Sequence, residues 1–98
     1  MLIHIVCWKY RPDVDDAARE QHRSRLAALA TLIPDIESLD VGSDILHLER
    51  SFDTGLVAVF PDRAALDHYT DHPEHQAVVA IGRAIADKVV SVDFMRPE

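Results

Sequence analysis

The chain has 98 residues, of which 48% are hydrophobic and 28% are charged. This length is enough for one small domain and too short for two, and the composition is that of a globular chain, not a disordered one. The formal net charge of −7 disfavours nucleic-acid and anionic-membrane binding, because an acidic surface repels phosphate groups.

The first predicted element is a strand over residues 2–10, LIHIVCWKY, with apolar residues on both alternating faces. His4 shares one face with Leu2, Val6 and Trp8, while Ile3, Ile5 and Cys7 occupy the other. This N-terminal run lacks the basic start and the cleavage site of a secretion signal, and it is too short to span a bilayer. The single Cys7 allows no internal disulfide and reads as a small buried residue. We expect a cytoplasmic protein with no membrane contact.

The next element is a helix over about residues 16–33, which Asp13 or Asp15 can cap. Pro34 ends it. Its apolar stripe consists of His22, Leu26, Leu29 and Ile33, which recur at helical spacing.

Two strands follow, one over about residues 36–45 and one over residues 54–60. Gly42 indicates a bulge or bend in the first of them. The second, TGLVAVF, is apolar on both faces.

The last part of the chain predicts two helices and a strand. Asp62 caps a short helix that ends near residue 69, and Pro73 fits the first position of a longer helix that ends near residue 87. The final strand covers residues 88–94, where Val90, Val92 and Phe94 share a face.

The predicted order β-α-β-β-α-β is the ferredoxin-like pattern, an α+β fold with a four-stranded antiparallel sheet and helices on one face. The first and third strands are apolar on both sides, yet the helices cover only one. A second copy of the chain is the simplest cover for the other side. At about 25 cal/mol per Å² of buried apolar surface, this burial is worth many kcal/mol before the cost of association. We therefore predict a homodimer joined sheet to sheet.

Two histidines flank Pro73 in the segment YTDHPEHQ. His72 lies at or just before the start of the last helix, where a capping role is favoured over chemistry. His75 lies in the first turn, beside the apolar stripe. The helix N-terminus and partial burial both favour a neutral ring, the form that a general base needs. The alternative is a hydrogen-bonded histidine at the edge of the core.

Three other side chains are candidates for the same pocket. His4 stands in an apolar strand and needs a polar partner, which His75 or a ligand could supply. Tyr69 packs its ring inward while its hydroxyl seeks a partner. His22 is a weaker candidate, and His47 and His68 are expected to face solvent.

A metal site is the remaining alternative for this cluster. His72 and His75 stand three residues apart with Glu74 between them, but Pro73 fixes the direction of His72. The sequence has no set of four ligands at a recognised spacing. We expect no metal, although an adventitious ion at His72 and His75 stays open.

Three segments, HIVCWKYRPDV, LIPDIESLDVG and YTDHPEHQAVV, resemble the stress-responsive α/β barrel (Dabb) family. The resemblance spans nearly the whole chain, so residues 1–98 are expected to form a single Dabb domain. It implies a dimeric α/β barrel of ferredoxin-like subunits, with a cleft between the sheet and the helices.

The chain also distantly resembles olivetolic acid cyclase, a plant polyketide cyclase that works without a cofactor. This resemblance implies that His75 acts as the base, that Tyr69 assists it, and that His4 is the strand-one histidine. The chain has Leu26 where that enzyme has a helix-one pocket tyrosine, and Thr54 where it has a strand-three histidine. The cyclase's substrate specificity is therefore not expected here.

The functional hypothesis is a homodimer with a cleft for a small apolar carbonyl compound and cofactor-free proton-transfer chemistry, such as enolisation, aldol-type cyclisation or isomerisation. The expected catalytic residues are His75, Tyr69 and His4, and the expected substrate contacts are Trp8, His22, Leu26 and His72. A non-catalytic stress-response or ligand-binding dimer is the alternative. A cofactor-free monooxygenase is a weaker one.

Overall fold

The computed structural model describes residues 1–97. Its elements in chain order are β1 (Leu2–Tyr10), α1 (Asp16–Leu32), β2 (Ser38–Ser43), β3 (Thr54–Phe60), α2 (Arg63–Asp71), α3 (Pro73–Ile85) and β4 (Ala86–Met95). The four strands form one antiparallel sheet in the order β2-β3-β1-β4. The predicted ferredoxin-like fold is therefore confirmed, with β1 and β3 in the middle of the sheet.

Each helix begins at a side chain that accepts a hydrogen bond from a free backbone N–H of the first turn. Asp15 accepts from the amide of Ala18 and Asp62 from that of Ala65, both at 2.9 Å. His72 accepts from the amide of Glu74 through Nδ1 at 3.1 Å. The cap at Asp15 settles which aspartate starts α1.

The strand predicted over residues 36–45 is longer than the observed β2, and the prediction of a bulge or bend at Gly42 was wrong. Gly42 pairs with Gly55 in an unbroken register between β2 and β3. The register shift lies instead at the end of β1, between Lys9 and Tyr10 in the pairing with β4. The sequence pattern cannot locate such a shift, because the shift depends on a partner strand that lies far away in the chain.

The core lies between the helices and one face of the sheet. Its most deeply buried apolar side chains come from α1, its C-cap residue and β3: Leu29, Ile33, Leu56, Ala58 and Phe60 are all at most 1% exposed. The stripe predicted for α1 therefore packs on the sheet as expected.

The opposite side of the sheet, the open face, is formed by Ile3, Ile5, Cys7, Val57, Val59, Val90, Val92 and Phe94. Ile5 pairs with Val57 on one side and with Val92 on the other, so these three form an apolar row across the sheet. Val57 is 42% exposed, Val92 54% and Phe94 45%. Cys7 is half-buried on this face, not enclosed in the core as predicted.

The helices between residues 1 and 97 include none with the length and apolar character needed to cross a membrane.

Candidate functional site

A cavity of about 380 Å³ lies between the sheet and the helices. We call it the sheet–helix cavity. Its lining consists of His4, Val6, Trp8, Leu56, Val89 and Ser91 from the sheet and His22, Leu26, Tyr69, Thr70, His75, Val78, Val79 and Arg83 from the helices. The lining is mostly apolar, with a few polar groups directed at one space, which is the usual make-up of a small-molecule site.

His75 is placed by the first turn of α3, where Pro73 sets the start of the helix. Its Nδ1–H donates to the backbone carbonyl of Thr70 at 3.1 Å. A carbonyl only accepts, so the neutral ring carries its lone pair on Nε2. Burial lowers the pKa of His75 from 6.5, the hydrogen bond to Thr70 opposes this, and His4 and His72 add to the lowering. The ring is thus neutral at pH 7 and able to accept a proton.

Tyr69 stands directly beside this base. The centroids of the Tyr69 and His75 rings are 4.1 Å apart, and Tyr69 as a whole is only 2% exposed. Burial raises its pKa to about 12, so the hydroxyl keeps its proton at pH 7.

The Tyr69 hydroxyl has no hydrogen-bond partner within residues 1–97. Because every fully enclosed polar side-chain atom of this part of the chain has a partner, the hydroxyl is not fully enclosed by protein, and Tyr69 belongs to the cavity lining. A buried donor in this position is available to a ligand oxygen.

His4 lies on the other side of Tyr69, with the two ring centroids 5.9 Å apart. Its polar partner is neither His75 nor a ligand: Nδ1 of His4 pairs with the carboxylate of Asp93 on β4. Asp93 was missed as a site residue. The alternation of Val90, Val92 and Phe94 already places it on the opposite, helix-covered face of β4, and this signal could have found it.

A second polar group lies at the other end of the cavity. His22 is 1% exposed, and its Nδ1 is 2.7 Å from the hydroxyl of Tyr10, which donates to Oγ1 of Thr54 at 2.8 Å. Burial, with a smaller contribution from Arg23, lowers the pKa of His22 to about 4. Trp8 and Leu26 line the cavity beside it, so the structure brings these three predicted contact residues together.

His72 is the exception among the predicted contacts. It is not part of the cavity lining, and its ring nitrogen is engaged with the amide of Glu74. It acts as the cap of α3, the role favoured from the sequence, and it lies outside the cavity that the other predicted contact residues line. Over residues 1–97, no three His, Cys, Asp or Glu side chains are grouped so that they could hold a metal ion.

The fold and the cavity define the class of protein, a ferredoxin-like domain with a mostly apolar cavity between its sheet and its helices. The profile of the stress-responsive A/B barrel domain matches residues 2–96, so the chain belongs to the Dabb family. No curated protein matches it.

Solved structures of similar fold cover almost the whole chain. A dimeric ferredoxin-like protein of unknown function from Thermobifida fusca is 27% identical, with a TM-score of 0.86 over 95% of this chain and 88% of that one. A hydroxynitrile lyase from Passiflora edulis is 16% identical, with a TM-score of 0.89 over 99% and 94%. An antibiotic biosynthesis monooxygenase is 20% identical, with a TM-score of 0.80 over the full length of both chains. The two enzymes share the fold with this chain, and at these identities the likeness extends no further.

Proposed function

We propose that the protein is a homodimer that binds a small carbonyl compound in the sheet–helix cavity and moves a proton on the carbon next to the carbonyl, without a cofactor. The observation that carries this proposal is the placement of a neutral imidazole and a protonated phenol side by side on one apolar cavity. His75 and Tyr69 supply these groups, and their rings are 4.1 Å apart.

The step needs only these side chains and the substrate. Nε2 of His75 takes a proton from the carbon next to the carbonyl, the C–H electron pair forms the C=C bond of the enolate, and the carbonyl π pair moves to oxygen. The Tyr69 hydroxyl donates a hydrogen bond to that oxygen. Return of the proton to the same or another carbon regenerates His75 and completes exchange or isomerisation.

The two groups keep separate roles because burial moves their pKa values in opposite directions. The pKa of His75 lies below 6.5, and that of Tyr69 is about 12. At neutral pH the histidine is the acceptor and the tyrosine the donor. A positioned base contributes roughly 10²–10⁴-fold, and an oriented donor at the enolate oxygen adds to it.

His4 supports Tyr69. The carboxylate of Asp93 accepts a hydrogen bond from Nδ1–H of His4, which fixes the orientation of the His4 ring against Tyr69. In the neutral ring Nε2 then has the lone pair, so it does not donate to the substrate oxygen. We assign His4 and Asp93 the role of positioning residues for Tyr69.

The dimer part of the proposal rests on the open face. An exposed apolar face such as this one, formed by β3, β1 and β4, is an unfavourable surface in water, and a second copy of the same face covers it by two-fold symmetry. The Thermobifida fusca protein is described as dimeric, as is a ferredoxin-like protein from Bacteroides fragilis that is 25% identical with a TM-score of 0.84.

Deuterium exchange tests the chemistry without knowledge of the natural substrate. Octan-2-one is incubated with the protein in D₂O, and NMR follows the loss of hydrogen from the carbons that flank its carbonyl. We expect exchange above the buffer rate, and a loss of about 10²-fold or more in His75→Ala.

The matched control is His72→Asn, which changes the other histidine of the same motif and keeps a good helix cap. It should exchange like the unchanged protein. Binding of octan-2-one with exchange at the buffer rate would favour the non-catalytic ligand-binding dimer. Equal exchange by the unchanged protein and His75→Ala would remove His75 as the base.

A further inference from the structure

The end of the cavity away from His75 contains a second polar site that the proton-transfer step does not use. A Cβ atom on Gly82 would lie 3.0 Å from Nε2 of His22 and 3.3 Å from Nε1 of Trp8. Both nitrogens therefore lie close to each other beside the Gly82 backbone, where α3 packs so tightly that a side chain at this position would press against them. Gly82 itself is buried.

The hydrogen-bonding character of both nitrogens follows from their surroundings. The Tyr10 hydroxyl gives its proton to Thr54, so its oxygen accepts from Nδ1–H of His22. The neutral ring of His22 then has its lone pair on Nε2, while Nε1–H of Trp8 is a donor. The low pKa of His22, about 4, agrees with a ring that stays neutral.

Neither nitrogen has a hydrogen-bond partner within the described chain. Because every fully enclosed polar side-chain atom there has a partner, neither nitrogen is fully enclosed by protein. Both residues line the cavity, and both are strongly buried, His22 at 1% and Trp8 at 9% exposure. A neighbouring acceptor and donor suit a group that donates and accepts at once, which is a hydroxyl.

Strand β1 and helix α3 each give the distance between the two ends of the sheet–helix cavity. His4 and Trp8 are four residues apart on β1, which corresponds to about 13 Å. His75 and Gly82 are seven residues apart on α3, which corresponds to about 10 Å. The lining between the ends is apolar and includes Val6, Leu56 and Val78.

We propose that the ligand is an elongated carbonyl compound with a hydroxyl group at its far end, and that Nε2 of His22 and Nε1–H of Trp8 bind this hydroxyl. The placement of the carbonyl at His75 and Tyr69 rests on the proposed function. A carboxylate at the far end is disfavoured, because it would bring its lone pairs against that of His22, even though Arg83 lies on the same stretch of α3 and lines the cavity.

Binding of matched probes tests this specificity separately from the chemistry. The probes are octan-2-one, 8-hydroxyoctan-2-one and 7-oxooctanoic acid, with affinity measured by calorimetry and by the fluorescence of Trp8, the single tryptophan of the chain. We expect the hydroxyketone to bind about tenfold more tightly than octan-2-one, as two neutral hydrogen bonds allow. The keto acid should bind more weakly than the hydroxyketone.

Two variants assign the effect to this point of the cavity. His22→Phe removes the acceptor, and Gly82→Ala places a methyl group in tight contact with both nitrogens, which displaces them from the hydroxyl. Each should bring the hydroxyketone to the affinity of octan-2-one. If His22→Phe does not fold, the affinities measured for Gly82→Ala alone decide whether the hydroxyl binds at this point.

Equal affinities in the unchanged protein, a preference for the keto acid, or a hydroxyl preference that survives Gly82→Ala would overturn the proposal, as would no binding of any probe at millimolar concentration. None of these readouts depends on deuterium exchange. A hydroxyl preference in a protein that exchanges nothing would sustain this inference while the proton-transfer function fails.

Discussion

The two faces of the sheet depart from the usual arrangement of a half-buried sheet. The covered face carries His4 and Trp8 on β1 and Asp93 on β4 beside its apolar core, while the open face of the same strands carries Ile5 and Val92. A sheet with one wet side normally places apolar residues inside and polar ones outside. The difference supports the proposal that each face is completed by something other than its own chain: a small molecule on the covered side and a second sheet on the open side.

The largest expected effect comes from a charge on the open face. Val57→Glu places a carboxylate at the β3 end of the apolar row, and the two-fold symmetry of a dimer buries it twice without a partner. We expect the dissociation constant of the dimer to rise by more than about 10³-fold. Analytical ultracentrifugation should then show a monomer at micromolar concentration. Ala28→Glu adds the same charge on the exposed side of α1 and should leave the mass unchanged. An intact dimer in Val57→Glu would contradict the proposal that the open face is the dimer interface.

The second effect concerns acid stability on the covered side. The pKa of His22 is about 4 in the folded chain and about 6.5 when unfolded. Between these values the unfolded chain binds a proton that the folded one does not, so stability falls as the pH falls from about 6.5 toward 4. Loss of this effect in His22→Phe should reduce the decline in unfolding free energy between pH 7 and 4.5 by roughly 2–3 kcal/mol.

Urea unfolding at both pH values, at one protein concentration, measures this difference. His68→Phe changes a histidine whose side chain is 77% exposed and should keep the full decline of the unchanged protein. An equally steep decline in His22→Phe would show that another group carries the acid sensitivity.

The sequence predicted the fold well and the polar contacts poorly. Element order, the three capping residues and the apolar stripe of α1 depend on neighbours within a few residues, which a pattern can show. The pairing of His4 with Asp93 joins residues at opposite ends of the chain. The chain of contacts from His22 through Tyr10 to Thr54 likewise depends on how α1 crosses two strands. Sequence spacing encodes neither arrangement.

A smaller effect is expected when the proposed donor, the Tyr69 hydroxyl, is removed and the proposed base, His75, is kept. Tyr69→Phe keeps the ring against His75 and removes only the hydroxyl. We expect deuterium exchange of octan-2-one to fall about 10- to 50-fold, because one oriented donor at the enolate oxygen is lost. Affinity for octan-2-one, followed by Trp8 fluorescence, should change less than threefold. An unchanged exchange rate would contradict the role of the hydroxyl.

The smallest expected effect tests Asp93 as a positioning residue. Asp93→Asn keeps the shape of the side chain and removes its charge, so His4 is held less firmly. Exchange should fall about 3- to 10-fold with ligand affinity unchanged. Asp87→Asn makes the same change at an exposed position on β4 and serves as the control. Equal rates in both variants would limit Asp93 to a structural role.

Strand β4 joins the face proposed for assembly to the face proposed for chemistry. It is an edge strand of the single chain, and neighbouring residues on it face opposite ways, with Asp93 toward His4 and Phe94 toward the open face. Packing of a second copy on Phe94 would steady the same backbone that positions the carboxylate. Under the proposed function, the exchange rate per subunit should therefore decline on dilution below the dimer's dissociation constant, even though the proposed catalytic groups all come from one chain.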